Sequence, residues 1–458
     1  MRDGDRLRID LPAAVRAVLA GLTDAGHEAA LVGGCVRDLV RGEVPKDWDV
    51  TTSATPEAVA ERFPGATWQN PFGTVTVRIG SDGDAVEVTT YRSETGYRDR
   101  RWPDSVAWGE SLTDDLARRD FTINAMAWLP ADLAAGDGRL VDPFGGGPDL
   151  VSGILRAVGD PDSRFEEDAL RLLRAVRFAT RFGLHLDEAT AAAIRRHAPS
   201  AAMLSGERVR DELLRMLAAP PPVGPSSVFE LMEELGLLAV VLPEVAVLRG
   251  VPQAKAMPGD ALDHTLAAVD AIPADRPLLR LAALLHDLGK ALTLAHGHFL
   301  GHETVGEELA RQVAERLRLP RAEALRIGRL VRHHMFAYAF AWTDAAVRRF
   351  MKRVGVDLLD DLFALRLADN AASGVREPRR GGLAELRRRC TAALGGDPLE
   401  SQHVAIDGHR LMAELGLRPG PQVGALLDRL LEAVLDDPAL NTEDRLLELA
   451  RGWLAEGS

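Results

Sequence analysis

The chain has 458 residues, 46% of them hydrophobic, so it can bury several cores, and its length predicts roughly two to four domains. The net charge of −13 argues weakly against a nucleic-acid binder, although binding needs only a local basic face. Arginine-rich runs at 171–181 and 376–389 can provide such a face or be ordinary solvated helix surfaces. Two distant cysteines, Cys35 and Cys390, argue against a disulfide framework.

The sequence carries no apolar leader and no membrane-length apolar run, so we predict a soluble, cytoplasmic protein without a membrane partner. Apolar spacing, caps and turn residues predict a small mixed α/β domain at the start of the chain. Its predicted elements are a helix over Asp10–Ala25, a Gly-Gly turn, a strand carrying Asp47 and Asp49, a helix from Thr55 to about Phe63, and strands over Thr74–Ile79 and Ala85–Tyr91 separated by a turn at 81–83.

The stretch LVGGCVRDLVRGEVPKDWDVTT, residues 31–52, is the strongest chemical signal. Gly33 and Gly34 follow an apolar pair, and glycines between a strand and a helix let backbone N–H groups approach a phosphate. Asp47 and Asp49 stand two apart in a predicted strand, which places both carboxylates on one face. Paired oxygen donors beside a phosphate cradle suit Mg²⁺, so we predict metal-assisted phosphoryl chemistry.

Three later features fit that chemistry. Glu87 can supply a third carboxylate if its strand lies beside the Asp49 strand; otherwise it is an exposed strand residue. The polar stretch 92–110 predicts a long loop of the kind often found beside active sites. Arg118, Arg119 and Asp120 can grip a triphosphate and a ribose, although a charged helix start explains them equally well.

The segment FEEDALRLLRAVRFATRF, 165–182, has the apolar spacing of an amphipathic helix. On such a helix Asp168 and Arg171 are neighbours, with Arg174 about a turn further. A surface ion pair is the simple explanation. The functional alternative is base reading, in which Asp168 accepts from an exocyclic amine and Arg171 donates to ring acceptors.

Prolines at 220–222 and Gly224-Pro225 predict a linker, and the pattern beyond it is helical. This second half carries His264, His286-Asp287 and Asp369, donor types that suit a divalent transition metal and can activate water for phosphoester hydrolysis. His302, and His333 or His334, are weaker candidates for additional ligands. A purely structural domain with buried histidines is the alternative.

In order, the segments GGCVRD, DWD, EVTTYR, RRDFTINAM, DPFGG, EEDALRLLRA and SGERVRDEL resemble the motifs of class II tRNA nucleotidyltransferases, the CCA-adding enzymes, from about Ala30 to Leu217. That family belongs to the DNA polymerase β-like nucleotidyltransferase superfamily. The second half resembles HD phosphohydrolase domains, which some bacterial CCA-adding enzymes carry. The resemblance implies a multidomain α+β protein: a nucleotidyltransferase head, then an all-helical neck, HD body and tail.

The resemblance also implies roles for residues in these motifs, with tRNA, CTP and ATP as partners. Asp47 and Asp49 bind catalytic Mg²⁺, with Glu87 as a third acid, and the long loop after Arg92 favours addition of the final A. The 142–147 segment lies near a head–neck hinge. Nucleotide-binding residues are Gly33, Gly34, Arg37, Arg119, Asp120, Asn124, Asp168, Arg171 and Arg174, and the HD metal ligands are His264, His286, Asp287 and Asp369.

We therefore expect template-independent addition of CCA to tRNA by two-metal nucleotidyl transfer. The rival activities are A addition alone, poly(A) synthesis, an HD phosphohydrolase whose head only binds nucleotide, and non-catalytic tRNA binding. The expected domains are a head (1–152), a neck (153–220), a linker with a connecting helix (221–250), an HD domain (251–395) and a tail (396–458). The sequence leaves the HD metal, the activity of the HD domain and the oligomeric state open.

Overall fold

The computed structural model describes residues 1–68, 73–79, 84–95, 105–108, 111–219, 224–253, 258–295, 298–374, 381–394, 399 and 403–456. The chain forms two compact units, Met1–Pro243 and Glu244–Ser458. A mixed sheet with helices makes up much of the first unit, and the described part of the second is helical, which confirms the predicted α+β class. No helix in the described ranges is long and apolar enough to span a bilayer.

An eight-stranded sheet organises the first unit, in the order β1-β10-β9-β2-β3-β6-β5-β4. Strand β3 pairs in parallel with β6, which sets Asp49 beside Glu87, and β6 pairs antiparallel with β5. The strand of Glu87 therefore lies beside the strand of Asp49, which is the arrangement that a third carboxylate from Glu87 requires. The strands are β1 (Arg6–Arg8), β2 (Ala29–Val32), β3 (Asp49–Thr52), β4 (Thr67–Trp68), β5 (Thr74–Ile79), β6 (Asp84–Thr90), β7 (Arg92–Thr95), β8 (Ser105–Trp108), β9 (Ala127–Asp132), β10 (Asp137–Val141), β11 (Ile154–Leu155) and β12 (His185–Leu186).

Helices of the first unit cover the sheet and continue into the neck. The predicted opening helix and the Thr55-capped helix both form, and Thr55 Oγ1 accepts a hydrogen bond from the Ala58 N–H, as a cap should. The helices are α1 (Ala13–Asp24), α2 (Gly34–Val40), α3 (Pro56–Arg62), α4 (Leu112–Ala117), α5 (Gly146–Ser152), α6 (Pro161–Glu167), α7 (Leu170–Phe182), α8 (Glu188–His197), α9 (Gly206–Leu217), α10 (Ser226–Glu234) and α11 (Leu238–Val241).

The main core of the first unit lies between α1 and the sheet. Val18 and Leu22 of α1 pack with Val50, Val88 and Trp128 of three strands, and all five are fully buried. Burying a side chain of this size contributes roughly 1.5–3 kcal/mol. This core fixes the strands β3 and β6, whose ends carry the acidic residues.

Two local predictions are wrong. The stretch 92–110 is not simply a loop, because β7 and β8 pair antiparallel; residues 96–104 and 109–110 lie outside the described ranges. Backbone pairing holds these strands, and each spans only four residues, the first of them polar, so neither shows the hydrophobic alternation that predicts a strand. The 165–182 helix is broken into α6 and α7 at Asp168, which is extended (φ −147°, ψ 106°). Its Oδ1 accepts from the Leu170 N–H, an N-terminal capping interaction that competes with continued helix.

Helices α13, α14, α16, α17 and α19 pack together in the second unit and form its core. The predicted turn at 81–83 and the prolines at 220–222 lie outside the described residues. The remaining helices are α12 (Pro243–Ala246), α13 (Ala261–Asp270), α14 (Pro277–Leu285), α15 (Lys290–Thr293), α16 (His302–Arg316), α17 (Arg321–His333), α18 (Asp344–Val354), α19 (Leu359–Ala372), α20 (Gly382–Leu394), α21 (Gly408–Leu415), α22 (Pro421–Asp436) and α23 (Glu443–Glu456).

Candidate active site and candidate metal centre

Three carboxylates line a cavity of about 680 Å³ at the end of β3. Asp49 is the first residue of β3 and Glu87 is its neighbour on β6, whereas Asp47 lies in a bend before the strand. The prediction that both aspartates belong to one strand is therefore wrong, yet both line the same cavity. Burial raises the pKa of Asp49, Arg119 opposes this, and the charges of Glu87 and Asp47 raise it further. A divalent cation would relieve this repulsion, and the all-oxygen donor set fits Mg²⁺.

The glycine turn connects β2 to α2. Gly33 has φ 76° and ψ −126°, a conformation that strongly favours glycine, and its C=O accepts from the Arg37 N–H. A Cβ on Gly33 would lie 2.7 Å from Nη1 of Arg119. Glycine is thus required both for the turn and for the approach of Arg119. The N–H groups of the first turn of a helix are available to an anion.

A second cavity, of about 400 Å³, shares Asp49 with the first. It brings together most of the predicted nucleotide-binding residues, although they come from distant parts of the sequence. Gly33 is not among its lining residues but precedes Gly34, which is. The lining residues are Gly34, Arg37, Asp49, Arg118, Arg119, Asp120, Asn124, Asp168, Leu170, Arg171, Arg174, Phe178 and Arg208.

Asp120 is the central acceptor of a buried hydrogen-bond network in this second cavity. Its Oδ2 accepts from Nε of Arg174 at 2.8 Å, and its Oδ1 accepts from Nδ2 of Asn124 at 3.0 Å. Arg37 Nη1 in turn donates to Asn124 Oδ1 at 2.7 Å. Burial alone would raise the pKa of Asp120, but Arg174 and the Asn124 hydrogen bond outweigh it and hold the pKa at about 2. The carboxylate is ionised and acts as an acceptor only.

Asp168 and Arg171 both line the cavity, although they are not neighbours on one continuous helix. Asp168 Oδ2 accepts from Nη2 of Arg208 at 2.7 Å. Arg171 donates from Nη2 to the Arg118 C=O at 2.9 Å and forms an ion pair with Glu167. Each member of the predicted base-reading pair is therefore oriented by other groups of the chain.

Three residues around this cavity were missed by sequence reasoning. Arg208 lies within the SGERVRDEL motif, which is its only signal in the sequence, and Phe178 lies in the 165–182 segment without a chemical signal of its own. Asp115 is fully buried and pairs with Arg118 and Arg119. Burial would raise the pKa of Asp115, but the two guanidinium groups lower it overall. Asp115 thus supports the two arginines that line the cavity.

The second unit brings the predicted HD residues together. His264 Nε2 lies 3.2 Å from Asp369 Oδ1 and 3.4 Å from Asp287 Oδ2, and His286 Nε2 lies 3.1 Å from Asp287 Oδ2. His264, His286 and Asp369 offer donor atoms within 4.8 Å of one another, as do His286, Asp287 and His334. All of these residues are buried, and their mixed nitrogen and oxygen donors fit a divalent transition metal.

Two further histidines complete a cluster around Asp287. His302 and His334 approach Asp287 Oδ1 at 3.5 and 3.8 Å, and their Nε2 atoms lie 3.3 Å apart. The Nδ1 atoms of His302 and His334 lie within hydrogen-bond distance of the carbonyls of Phe299 and Val331, so their Nε2 atoms face the cluster. His334 rather than His333 therefore faces the cluster, and burial lowers the pKa of His334 to about 3, which favours the neutral form that could bind a metal.

Three family models match successive parts of the chain. They are described as "Poly A polymerase head domain" (residues 29–156), "Probable RNA and SrmB- binding site of polymerase A" (183–248) and "HD domain" (259–374). The head and HD domain types imply use of divalent metal, and the candidate groups described above are consistent with it.

Relatives match over nearly the whole chain. An A-adding tRNA nucleotidyltransferase of Deinococcus radiodurans is 37% identical over 88% of this chain and 91% of its own. A CCA-adding enzyme of Limosilactobacillus reuteri is 33% identical over 96% and 97%. The crystal structure of the Bacillus stearothermophilus CCA-adding enzyme in complex with CTP superposes with a TM-score of 0.70 at 28% identity, covering 97% of this chain and 98% of that one. The chain therefore belongs to the family of bacterial tRNA nucleotidyltransferases that carry an HD domain, and it is a nucleotidyltransferase.

Proposed function

We propose that the chain adds CCA to the 3′ end of tRNA from CTP and ATP, without a nucleic-acid template and with Mg²⁺ in the head. The observation that carries this proposal is the pair of cavities that share Asp49. One contains the acidic cluster, and the other contains the arginines and the Asp168–Arg171 pair. Near-full-length similarity to tRNA nucleotidyltransferases supports the substrate class. These substrates lead us to propose that the reaction takes place in the cytoplasm.

Different residues of the chain would have different roles in the reaction. Asp47, Asp49 and Glu87 would hold the metal, and the chemistry that Mg²⁺ supplies when bound is activation of the primer 3′-hydroxyl and neutralisation of the leaving pyrophosphate. Arg37 and Arg119 would hold the phosphates as multidentate donors. Fixed charges of this kind stabilise the transition state because they need no reorganisation during the reaction.

Base selection would rest on Asp168 and Arg171. The Asp168 carboxyl group would accept a hydrogen bond from the exocyclic amine that cytosine and adenine share, and Arg171 would donate to their ring acceptors. Uracil and guanine present a carbonyl oxygen where the amine should be, so two acceptors would meet and remain unpaired. Such a mismatch is costly in a site whose polar groups are already oriented by Arg208 and Arg118.

A addition alone is the second candidate, because the Deinococcus relative carries that name. CCA addition is favoured by the CCA-adding relative, which covers 96% of the chain, and by the structural likeness to a CTP complex. Poly(A) synthesis and a purely hydrolytic chain fit less well, since the relatives that match over most of the chain are named as an A-adding tRNA nucleotidyltransferase and a CCA-adding enzyme. The five domain boundaries expected from the sequence remain part of this proposal.

In the HD unit we propose a metal-dependent phosphohydrolase centre. His264, His286, Asp287 and Asp369 would hold a divalent transition metal, and His302 and His334, on the other side of the Asp287 carboxylate, would be further ligands. The support is that the four histidines divide between the two oxygens of Asp287. A divalent metal held by these residues would activate water for phosphoester hydrolysis.

The test is nucleotide incorporation into tRNA transcripts that lack the 3′ end, with CTP, ATP or both, and with the products sequenced at the terminus. CCA in the presence of both nucleotides is the expected product. If A is added only to a tRNA that already ends in CC, the second candidate is correct. Long A tails would instead indicate poly(A) synthesis. Asp47→Asn and Asp49→Asn should abolish addition, whereas Asp24→Asn, an exposed change at the end of α1, should not. Addition that persists in both active-site variants would overturn the head assignment.

A further inference from the structure

The acidic cavity contains an indole that the reaction described so far does not use. Trp48 stands between Asp47 and Asp49, is half-buried, and lines the cavity of about 680 Å³ with Lys46 and Thr76. This volume lies in the range typical of small-ligand sites. Register places Asp49, Glu87 and Thr76 in one row across β3, β6 and β5, so their side chains share a face of the sheet. Trp48 precedes this row by one residue, and it lines the same cavity as the carboxylates while also packing against the core beneath α1.

The two cavities differ sharply in charge. Six arginines and three carboxylates line the cavity with Asp168, whereas Lys46 is the single basic residue that the described ranges contribute to the Trp48 cavity, beside three carboxylates. A triphosphate needs concentrated positive charge, while an RNA chain carries one negative charge per phosphate. The charge distribution thus assigns the nucleoside triphosphate to the arginine-rich cavity and leaves the acidic one for the RNA end.

The residues that line the Trp48 cavity suit an RNA 3′ end whose terminal base differs from one addition to the next. A chain that adds successive nucleotides must accept different terminal bases, and a subsite that reads donors and acceptors would reject some of them. Stacking on an aromatic ring tolerates every base because every base has a π-face. The other described walls include Pro12, Ala14 and Ala85, which offer no side-chain hydrogen bonds.

We propose that this cavity is the subsite for the 3′-terminal nucleotide of the RNA primer, with Trp48 as the stacking platform and Lys46 as the partner of its phosphate. The proposal rests on the proposed nucleotidyl transfer and deepens it. It names the residue that positions the attacking end, and it explains how one site can serve primers with different terminal bases.

The kinetic test compares Trp48→Ala and Trp48→Phe with wild type, using tRNA ending in CC and ATP. We expect the KM for tRNA to rise roughly 5- to 150-fold in Trp48→Ala, and much less in Trp48→Phe, which keeps a ring. The dissociation constant for ATP, measured without tRNA, should stay at the wild-type value. Trp68→Ala is the matched control, because that indole is 41% exposed and does not line either cavity.

If Trp48→Ala loses ATP binding but keeps tRNA binding, the cavity belongs to the triphosphate and the proposal is overturned. An unchanged KM for tRNA in Trp48→Ala would also overturn the proposal. Circular dichroism checks that the variants fold. A second measurement is independent of activity and of the alanine variant: a short RNA ending in CC should quench tryptophan fluorescence more in wild type than in Trp48→Phe. Equal quenching contradicts the stacking role, whereas a wild-type chain that adds no nucleotide while showing this quenching would contradict only the proposed transfer.

Discussion

Asp120, a single residue of the candidate site, should also contribute to the stability of the fold. Its pKa of about 2 lies below the ordinary value near 3.9. A carboxyl group whose pKa is depressed by folding stabilises the fold above its unfolded pKa, and this contribution disappears as the pH falls through the folded value. Asp120→Asn should therefore lower the free energy of unfolding by about 2 kcal/mol at neutral pH, and the difference should vanish between about pH 4 and about pH 2.

Urea denaturation followed by circular dichroism at pH 7, 5 and 3 measures this difference. Asp24→Asn provides the control, because Asp24 is exposed at the end of α1 and its replacement should change little at any of these values. A difference between wild type and Asp120→Asn that stays constant from pH 7 to pH 3 would contradict the proposed ionisation of Asp120.

Arg208 offers a second prediction for a single residue. Its guanidinium donates to Asp168 at 2.7 Å and so fixes the carboxylate that is proposed to read the base. Without it the carboxylate can rotate, and we expect Arg208→Ala to reduce the preference for CTP over UTP roughly tenfold, the effect of one charged hydrogen bond. Single-turnover incorporation of each nucleotide measures the ratio. Arg210→Ala is the control, since Arg210 pairs with Asp211 instead; a matching loss of preference there would refute a specific role for Arg208.

At the scale of elements, the turn from β2 to α2 brings the backbone of Gly33 close to the guanidinium of Arg119. Gly33→Ala must both leave its φ of 76° and displace Arg119, which would lie 2.7 Å from the new Cβ. Backbone strain of this kind costs roughly 1–3 kcal/mol. We expect weaker binding of ATP in equilibrium dialysis as well as a lower melting temperature. Gly26→Ala has a similar φ of 85° with no atom within 4 Å, so it should lower stability without weakening ATP binding.

The elements also show what sequence patterns can and cannot predict. Strands β5 and β6 and the glycine turn were predictable, because alternation and glycine report local backbone requirements. The break at Asp168 was not, since apolar spacing continues from Phe165 through Leu172 while a single carboxylate caps the next helix. The pairing of β7 with β8 was not predictable because the two strands have four residues each, too few to show a periodic pattern.

The candidate site also contains some residues that the sequence predicted and some contacts that it did not. Motif residues identified the acids and the HD donors, but the contact of Asp168 with Arg208 joins residues 40 apart in sequence, which no local pattern encodes. Likewise, adjacent His333 and His334 are equivalent in a sequence pattern. The end of α17 decides between them, because His333 is its last residue and His334, just beyond, turns into the cluster.

For the whole molecule, the central feature is that each compact unit contains its own candidate metal centre. The head acids lie within Met1–Pro243, and the histidine cluster lies within Glu244–Ser458. Their donor sets also differ: the first consists of carboxylates alone and the second includes four buried histidines. Hard oxygen donors favour Mg²⁺, and imidazoles favour transition metals, so the two centres should differ in metal as well as in location.

This separation leads to a prediction about metal content. In protein dialysed against a transition metal and then against buffer, Asp287→Asn should lose bound metal because a charged ligand is removed, and His302→Ala should retain less metal than wild type. Mass spectrometry of the metals measures the ratio to protein. Nucleotide addition should persist in both variants, and phosphomonoester and 2′,3′-cyclic phosphate hydrolysis should fall. His409→Ala, an exposed change in α21, should alter neither quantity. Equal metal content in His302→Ala and wild type would exclude His302 as a ligand, and loss of addition in Asp287→Asn would show that the two units do not act separately.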